Sequence, residues 1–195
     1  MVLSLSKPAQ EFGGGIILGL STSQVGGDNL AGFYKAGLLI GIFANKSISE
    51  ILSFQMEMSY IQKGSNNPNM NDYNHINYSK QDISSSYIEV PLLLQYHQNN
   101  KLNIEAGVQA AYLIDAYYND LYGKMSNNIN PFISYDIGLL LGINYKYSKH
   151  ISLNSRISNS ILPIGAEDYE GQAGYNSYTK GKYNTVLSFA LHYNF

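Results

Sequence analysis

Single charged residues stand between apolar residues at several points of the chain, and residues of these types can form a network of ion pairs. Glu57, Glu89 and Glu105 each stand between apolar residues, so that a β-strand places the carboxylate and its neighbours on opposite faces. Buried charges are costly unless they are paired, and we expect Arg156 to bridge two or more of these acids. Lys63 lies on the same predicted face, and the residues predicted to lie together in this network are Lys35, Glu57, Glu89, Glu105, Asp136 and Arg156.

Other reactive side chains are present, but their spacing does not indicate a metal site or a catalytic site. His97, His150 and His192 fall near the ends of different predicted strands, whereas a zinc site needs converging ligands. Serine and acidic residues are plentiful, yet no motif joins them to a histidine as catalysis requires. We therefore predict no catalytic residue, no metal site, no cofactor and no enzymatic activity. The acids of the long connectors also lack a complete calcium-loop motif: Asp28, Asp72, Glu167, Asp168 and Glu170.

Period-two alternation of apolar and polar residues recurs through the chain and predicts eight strands that position these charges. Successive side chains of a strand point to opposite faces, so the charged residues share one face. Each strand has about eleven residues or more, enough to cross a bilayer when tilted. Pro91 lies inside the fourth strand, where we expect a bulge because proline cannot donate to the ladder. The predicted strands cover residues 12–23, 33–45, 51–63, 84–97, 101–115, 132–147, 150–161 and 183–195.

The connectors between these strands alternate between short and long. The short ones lie at 46–50, 98–100 and 148–149, and the long ones at 24–32, 64–83, 116–131 and 162–182. Outer-membrane barrels show this asymmetry, with tight periplasmic turns and long outside loops. The sequence therefore predicts an all-β fold, an eight-stranded antiparallel up-and-down transmembrane β-barrel over residues 11–195. Residues 1–10 are expected to be either the end of a secretory signal or a short disordered lead.

The last predicted strand indicates which face of the barrel meets lipid. Its odd-numbered positions are apolar with aromatic residues at both ends, and its even-numbered positions are polar or small. Lipid-facing strands have this pattern of apolar middle and aromatic girdles. The charged face then points into the barrel, where we expect a structural filling rather than an ion path or proton relay. The residues predicted to face lipid are Leu187, Phe189, Leu191, Tyr193 and Phe195.

The composition is compatible with a barrel and excludes other classes of protein. Charged residues make up 13% of the chain, about half the usual fraction, and the 18 tyrosines favour strands and membrane interfaces. No stretch approaches the ~18 consecutive apolar residues of a transmembrane helix. The net charge is −2 without a basic cluster, so we expect no binding of nucleic acid. The absence of cysteine excludes disulfides and thiolate zinc sites.

Short motifs occur in order along nearly the whole chain. They include Phe-Gly-Gly-Gly at 12–15, Gly-Phe-Tyr-Lys-Ala-Gly at 32–37, Glu-Met-Ser-Tyr-Ile-Gln-Lys-Gly at 57–64 and Tyr-Ile-Glu-Val-Pro-Leu-Leu at 87–93. In this order they resemble the PorT-type outer-membrane β-barrel proteins of Bacteroidetes-like bacteria. The resemblance implies an outer-membrane location and a barrel fold, with Pro91 at a typical position of the fourth strand. It implies little chemistry, although some relatives take part in protein secretion or gliding.

The function that we expect is that of a non-enzymatic outer-membrane barrel with a filled lumen. Its expected role is structural, or that of an accessory subunit of an envelope complex. The expected partners are outer-membrane lipid, a protein of that complex, and the barrel-assembly machinery, which would bind the C-terminal strand. Two alternatives remain open. One is a narrow channel for small solutes, which the inward Leu39, Phe43 and Leu93 disfavour. The other is a soluble lipocalin-like carrier, in which the apolar face would point inward.

Overall fold

The computed structural model describes residues 12–26, 32–66, 82–120, 123–124, 132–165 and 182–195. The predicted lead at 1–10 lies outside these residues. No helix in the described part of the chain is long and apolar enough to span a membrane. The strands within it are β1 (Phe12–Gly26), β2 (Lys35–Ser47), β3 (Leu52–Asn66), β4 (Asp82–His97), β5 (Leu102–Asp120), β6 (Gly123–Lys124), β7 (Tyr135–Lys146), β8 (Ile151–Ser160) and β9 (Tyr183–Asn194).

Eight long strands pair in antiparallel fashion with their neighbours and close into a barrel. The closing pair joins β1 to β9, from Gly15 opposite Asn194 to Gly26 opposite Tyr183. The two-residue strand β6 pairs with the end of β5 and stands outside this ring. Closure leaves no long strand with an unpaired edge. The predicted eight-stranded antiparallel up-and-down barrel is therefore confirmed.

The burial pattern shows which face of each strand points inward. In β9 the even-numbered side chains are mostly buried, and the odd-numbered ones are exposed or half-buried. Phe189 is 55% exposed and Phe195 is 81% exposed, whereas His192 is 1% exposed. Exposed large apolar side chains occur on all eight long strands. The outer surface of the barrel is thus apolar, which contradicts the lipocalin-like alternative.

Three tight turns close the end of the barrel at which β1 begins and β9 ends. Each turn contains a serine or asparagine whose side chain accepts a backbone N–H three residues later. These residues are Ser49, Asn99 and Ser148. Such side chains favour turns because they replace a backbone acceptor. We call this the short-turn end, and the opposite one the long-connector end.

Pro91 does not produce the bulge that the sequence predicted. It lies opposite Gln109 of β5, and the register is the same on both sides of this pair. On the other side, the ladder to β3 is interrupted around Pro91 and resumes in an unchanged register. The missing N–H of proline therefore breaks the ladder locally without adding a residue.

A bulge lies instead at Ile114 of β5, where one extra residue faces the step from Ser86 to Tyr87 of β4. The bulge reverses the alternation of faces beyond it. Asp115, for which an even spacing from Glu105 predicts the inward face, is consequently exposed. β5 continues to Asp120 and pairs with β6, so part of the connector predicted at 116–131 is strand.

Candidate functional site

Arg156 connects three strands across the lumen. Its Nη1 and Nη2 donate to the two carboxylate oxygens of Glu57 at 2.6 and 2.7 Å. Its Nε donates to Oε1 of Glu105. Arg156 lies on β8, Glu57 on β3 and Glu105 on β5. A guanidinium suits this position because its planar fork binds one carboxylate with two hydrogen bonds and keeps a further donor.

Amide side chains complete the hydrogen bonding of the two carboxylates. Gln55 Nε2 donates to Glu57 Oε1 at 2.5 Å. Asn154 Nδ2 and Gln95 Nε2 donate to the two oxygens of Glu105 at 2.8 and 3.1 Å. Glu57 is 3% exposed and Glu105 is fully buried. Buried carboxylates persist when each is both paired and hydrogen-bonded, as these are. We call these six residues the Arg156 cluster.

Gly142 allows Glu105 and Arg156 to meet. It lies on β7, opposite Glu105 on one side and opposite Arg156 on the other. A Cβ atom at this position would lie 2.7 Å from Arg156 Cγ and 2.8 Å from Glu105 Oε1. The absence of a side chain on the intervening strand therefore provides the space for the ion pair.

A second cluster of buried charges lies nearer the long-connector end. Lys63 Nζ is 2.5 Å from Glu89 Oε1 and 3.4 Å from Asp136 Oδ2. Gln109 Nε2 donates to Glu89 Oε1 at 3.3 Å, and Asn184 Nδ2 donates to Asp136 Oδ2 at 3.3 Å. We call these five residues the Lys63 cluster. It joins β3, β4, β5, β7 and β9 around one ammonium group.

The Lys63 cluster leaves some of its buried oxygens unmatched. Asp136 Oδ1 and Asn184 Oδ1 have no hydrogen-bond partner among the residues that the structure describes. The ammonium is a point charge with three donors, and it cannot reach every oxygen of two carboxylates. Lys63 Nζ also lies 4.9 Å from the centroid of the Tyr87 ring, so one side of the ammonium faces an aromatic ring.

The structure distributes five of the six residues of the predicted network over these two clusters. Arg156 bridges Glu57 and Glu105, whereas Glu89 and Asp136 contact Lys63. Lys35 has inward parity on β2 but lies nearer the long-connector end, with Nζ 5.6 Å from the centroid of the Tyr117 ring. The six residues thus share the inward face, and their contacts divide them into groups.

The sequence places Lys63 on the charged face but does not predict its partners, and it gives no reason to include Asn184 in the network. Lys63 stands on the polar face of the third predicted strand, at an even spacing from Glu57, and that spacing was the available signal. Asn184 is on the polar face of the last strand, but an asparagine there gives no indication of its partner. Their roles follow from the pairing of distant strands.

The residues predicted to face lipid lie on the outer surface of β9. Leu187 is half-buried, and Phe189, Leu191, Tyr193 and Phe195 are exposed. Tyr193 packs edge to face against Phe195, with 6.2 Å between ring centroids, and lies 5.9 Å from the His150 ring. These rings form an aromatic patch on the outside of the short-turn end, where membrane barrels carry an aromatic girdle.

The histidines and acids considered for metal binding do not converge within the described ranges. No group of three or more His, Cys, Asp or Glu residues there is arranged to hold a metal ion. His97 and His192 face the lumen near the short-turn end, and His150 lies at the rim. The connector acids Asp28, Asp72, Glu167, Asp168 and Glu170 lie outside the described residues.

Comparisons with known proteins agree with this architecture. Residues 9–164 match the family model described as outer membrane protein beta-barrel domain. A search of the curated proteins found no match. Ail, the attachment invasion locus protein of Yersinia pestis, is similar in structure, with a TM-score of 0.53 and 11% identity over 95% of this chain and 99% of that one. Neisserial surface protein A has a TM-score of 0.50 and 14% identity over 94% and 97%.

Proposed function

The chain belongs to the outer membrane protein beta-barrel domain family, and we propose that it is a non-enzymatic barrel with a closed lumen that serves a structural or accessory role in an envelope complex. The family and the fold assign the chain to the outer membrane. The apolar outer surface is the part that contacts lipid, which includes the exposed face of β9.

The observation that carries a closed lumen is the position of the Arg156 cluster. Its ion pairs link β3, β5 and β8 through the interior, and both carboxylates are buried. Phe43 and Leu93 are also buried on the inward face. A barrel of eight strands has an interior that side chains just fill. A fixed plug of this kind leaves no continuous wet path for a solute.

Conductance in planar lipid bilayers tests the closed lumen. The refolded barrel is expected to give no current steps above the lipid baseline, whereas a general porin refolded in the same way gives them. Leu191→Ala is the matched control, because a change in the outer wall should not alter the conductance while the lumen stays intact. Discrete steps from the wild-type barrel would contradict the closed lumen and support the narrow-channel alternative.

The proposed partner is another protein of the envelope. The resemblance of residues 57–64 and 87–93 to PorT-type proteins supports such a partner, because some of those relatives act in secretion. The strand β9, with its exposed aromatic residues, is the element that we propose the barrel-assembly machinery binds. A catalytic role has no support from the contacts of the described residues, since the buried carboxylates of Glu57, Glu89, Glu105 and Asp136 lie in ion pairs.

Affinity purification from native membranes in mild detergent tests the proposed partner. We expect a tagged barrel to copurify with one envelope protein at constant stoichiometry. A tagged barrel with the connector 166–181 shortened is the comparison, since it keeps every strand of the wall. Recovery of the barrel alone, at detergent concentrations that preserve known envelope complexes, would contradict an accessory role.

A further inference from the structure

A polar cavity of about 110 Å³ lies inside the short-turn end, between the Arg156 cluster and the turns. Ser47 and Lys146 at its mouth are exposed, whereas Gln55, Gln95 and His192 at its depth are buried. The cavity is therefore open toward the short-turn end and closed by the cluster below it. Outer-membrane barrels direct this end toward the periplasm.

The lining of this short-turn cavity has a distinct chemistry. It consists of six side-chain amides, three serines, two histidines, one lysine and one phenylalanine. No aspartate or glutamate is among the described residues that line it. Amides and hydroxyls offer donors and acceptors side by side, which is the arrangement that neighbouring hydroxyl groups of a ligand require. A cation finds no carboxylate here, and the one ammonium is at the exposed mouth.

Two buried polar atoms of the lining lack a protein partner. His192 is 1% exposed and Asn144 is 6% exposed. Neither His192 Nε2 nor Asn144 Oδ1 has a hydrogen-bond partner in the described part of the chain. Buried polar groups in native proteins are almost always satisfied, so each such atom indicates a ligand or ordered solvent. The Phe43 ring lies 5.3 Å from the His192 ring and adds an apolar surface beside them.

We propose that the short-turn cavity binds the hydroxyl-bearing edge of a saccharide unit, which bonds to Asn144 Oδ1 and His192 Nε2. Asn144 Oδ1 accepts from one hydroxyl, and His192 Nε2 bonds a second. The Phe43 ring borders the edge that enters. The volume is smaller than the ~150 Å³ that accepts benzene in an engineered cavity, so one edge of the sugar enters and the rest stays outside. This inference does not depend on the envelope partner proposed above.

Solution NMR of the refolded, isotope-labelled barrel in nanodiscs tests this site. The probes are free N-acetylglucosamine and glucose, together with a soluble disaccharide fragment of the periplasmic glycan. We expect saturable shifts of the Asn144 and His192 side-chain signals. Stronger saturation by the disaccharide assigns the site to glycan ends, and stronger saturation by a monosaccharide assigns it to free solute.

Variants separate specific binding from a general response to solute. Asn144→Leu is expected to weaken saccharide binding about tenfold or more, because one buried hydrogen-bond acceptor is lost. Asn159→Leu is the control, because Asn159 is on the exposed face of β8. Asn144→Ser carries the same test if the leucine variant does not fold, and gel mobility reports folding. The proposal is overturned if no saccharide saturates the shifts, if glycerol acts equally well, or if the Asn144 variants bind like the wild type.

Discussion

The Arg156 cluster and the Lys63 cluster contain the same charges, one cation between two carboxylates. They differ in how completely the carboxylate oxygens are hydrogen-bonded. Arg156 binds both oxygens of Glu57 at 2.6 and 2.7 Å and also reaches Glu105. Lys63 is 2.5 Å from Glu89 but 3.4 Å from Asp136. Asp136 Oδ1 has no partner among the described residues, whereas each oxygen of Glu105 accepts a hydrogen bond.

The difference shows how the identity of the cation determines how many carboxylate oxygens of a buried cluster have partners. A guanidinium has five donors in a fixed plane, whereas an ammonium has three donors at one point. The carboxylates that Arg156 binds also accept hydrogen bonds from amide groups. Gln55 donates to Glu57, and Gln95 and Asn154 donate to Glu105. We infer that the Arg156 cluster is a fixed cross-link of the barrel, and that the Lys63 cluster contributes less to its stability.

The largest effect is expected for Arg156→Met. This change leaves two buried carboxylates without their cation, which costs about 3–5 kcal/mol of unfolding free energy. Urea unfolding of barrels refolded in lipid vesicles, followed by gel mobility, measures the loss. Leu153→Met on the outer face of β8 is the control. A loss below about 1 kcal/mol, typical of an exposed ion pair, would contradict a buried cross-link.

A smaller effect is expected for Lys63→Met. The ammonium makes one close contact and one long contact, so we expect roughly half the loss of unfolding free energy seen for Arg156→Met. The same unfolding measurement applies, and both variants are compared in one vesicle preparation. An equal or larger loss for Lys63→Met would contradict the comparison. It would show that the unpartnered oxygens of Asp136 and Asn184 do not reduce the contribution of this cluster to stability.

The comparison also predicts which cluster loses more unfolding free energy when one of its carboxylates is replaced by the neutral amide. Glu105 accepts hydrogen bonds from several donors, and the NH2 group that Glu105→Gln introduces cannot accept them. About 2 kcal/mol of unfolding free energy should therefore be lost. Asp136→Asn removes a charge from a residue with an unpartnered oxygen, and its effect should stay within about 1 kcal/mol. Equilibrium unfolding of both variants gives the order directly. A greater loss for Asp136→Asn would reverse the comparison.

A similarly small effect is expected for Gly142→Ala. The added Cβ approaches Arg156 Cγ and Glu105 Oε1 at under 3 Å, so the cluster must shift, at a cost of about 1 kcal/mol. Gly26→Ala is the matched control, because a Cβ atom there has an ordinary contact of 3.6 Å. Unfolding free energies of the two variants are compared. Equal stability of both would indicate that Gly142 does not provide the space for the ion pair.

The sequence predicted the faces of the strands because alternation is a local property. Phe189 and His192 differ in burial as their parity in β9 indicates, and the same pattern places Glu57 and Arg156 inward. The strict alternation of short and long connectors made an even number of strands the consistent choice. These signals need no knowledge of which strands are neighbours in space.

The sequence predicted that Arg156 bridges at least two of the acids, but not which two, because that choice depends on register around the barrel. Glu57, Glu89 and Glu105 have equivalent surroundings in the sequence, and the alignment of Glu105, Gly142 and Arg156 arises only when β5, β7 and β8 pair. The bulge at Ile114 is likewise a single inserted residue without a compositional signal. For the same reason, the shared position of His192 and Asn144 in the short-turn cavity was not foreseen.

The most direct test of the central claim is a double-mutant cycle between Arg156 and Glu57. The variants Arg156→Met, Glu57→Gln and their combination are unfolded in urea from lipid vesicles, and the coupling energy is taken from the three changes. A fixed ion pair across the lumen predicts a coupling of about 2 kcal/mol or more, since the double variant removes both charges together. Additivity within about 0.5 kcal/mol would contradict it, because it would mean that the two side chains do not meet inside the barrel.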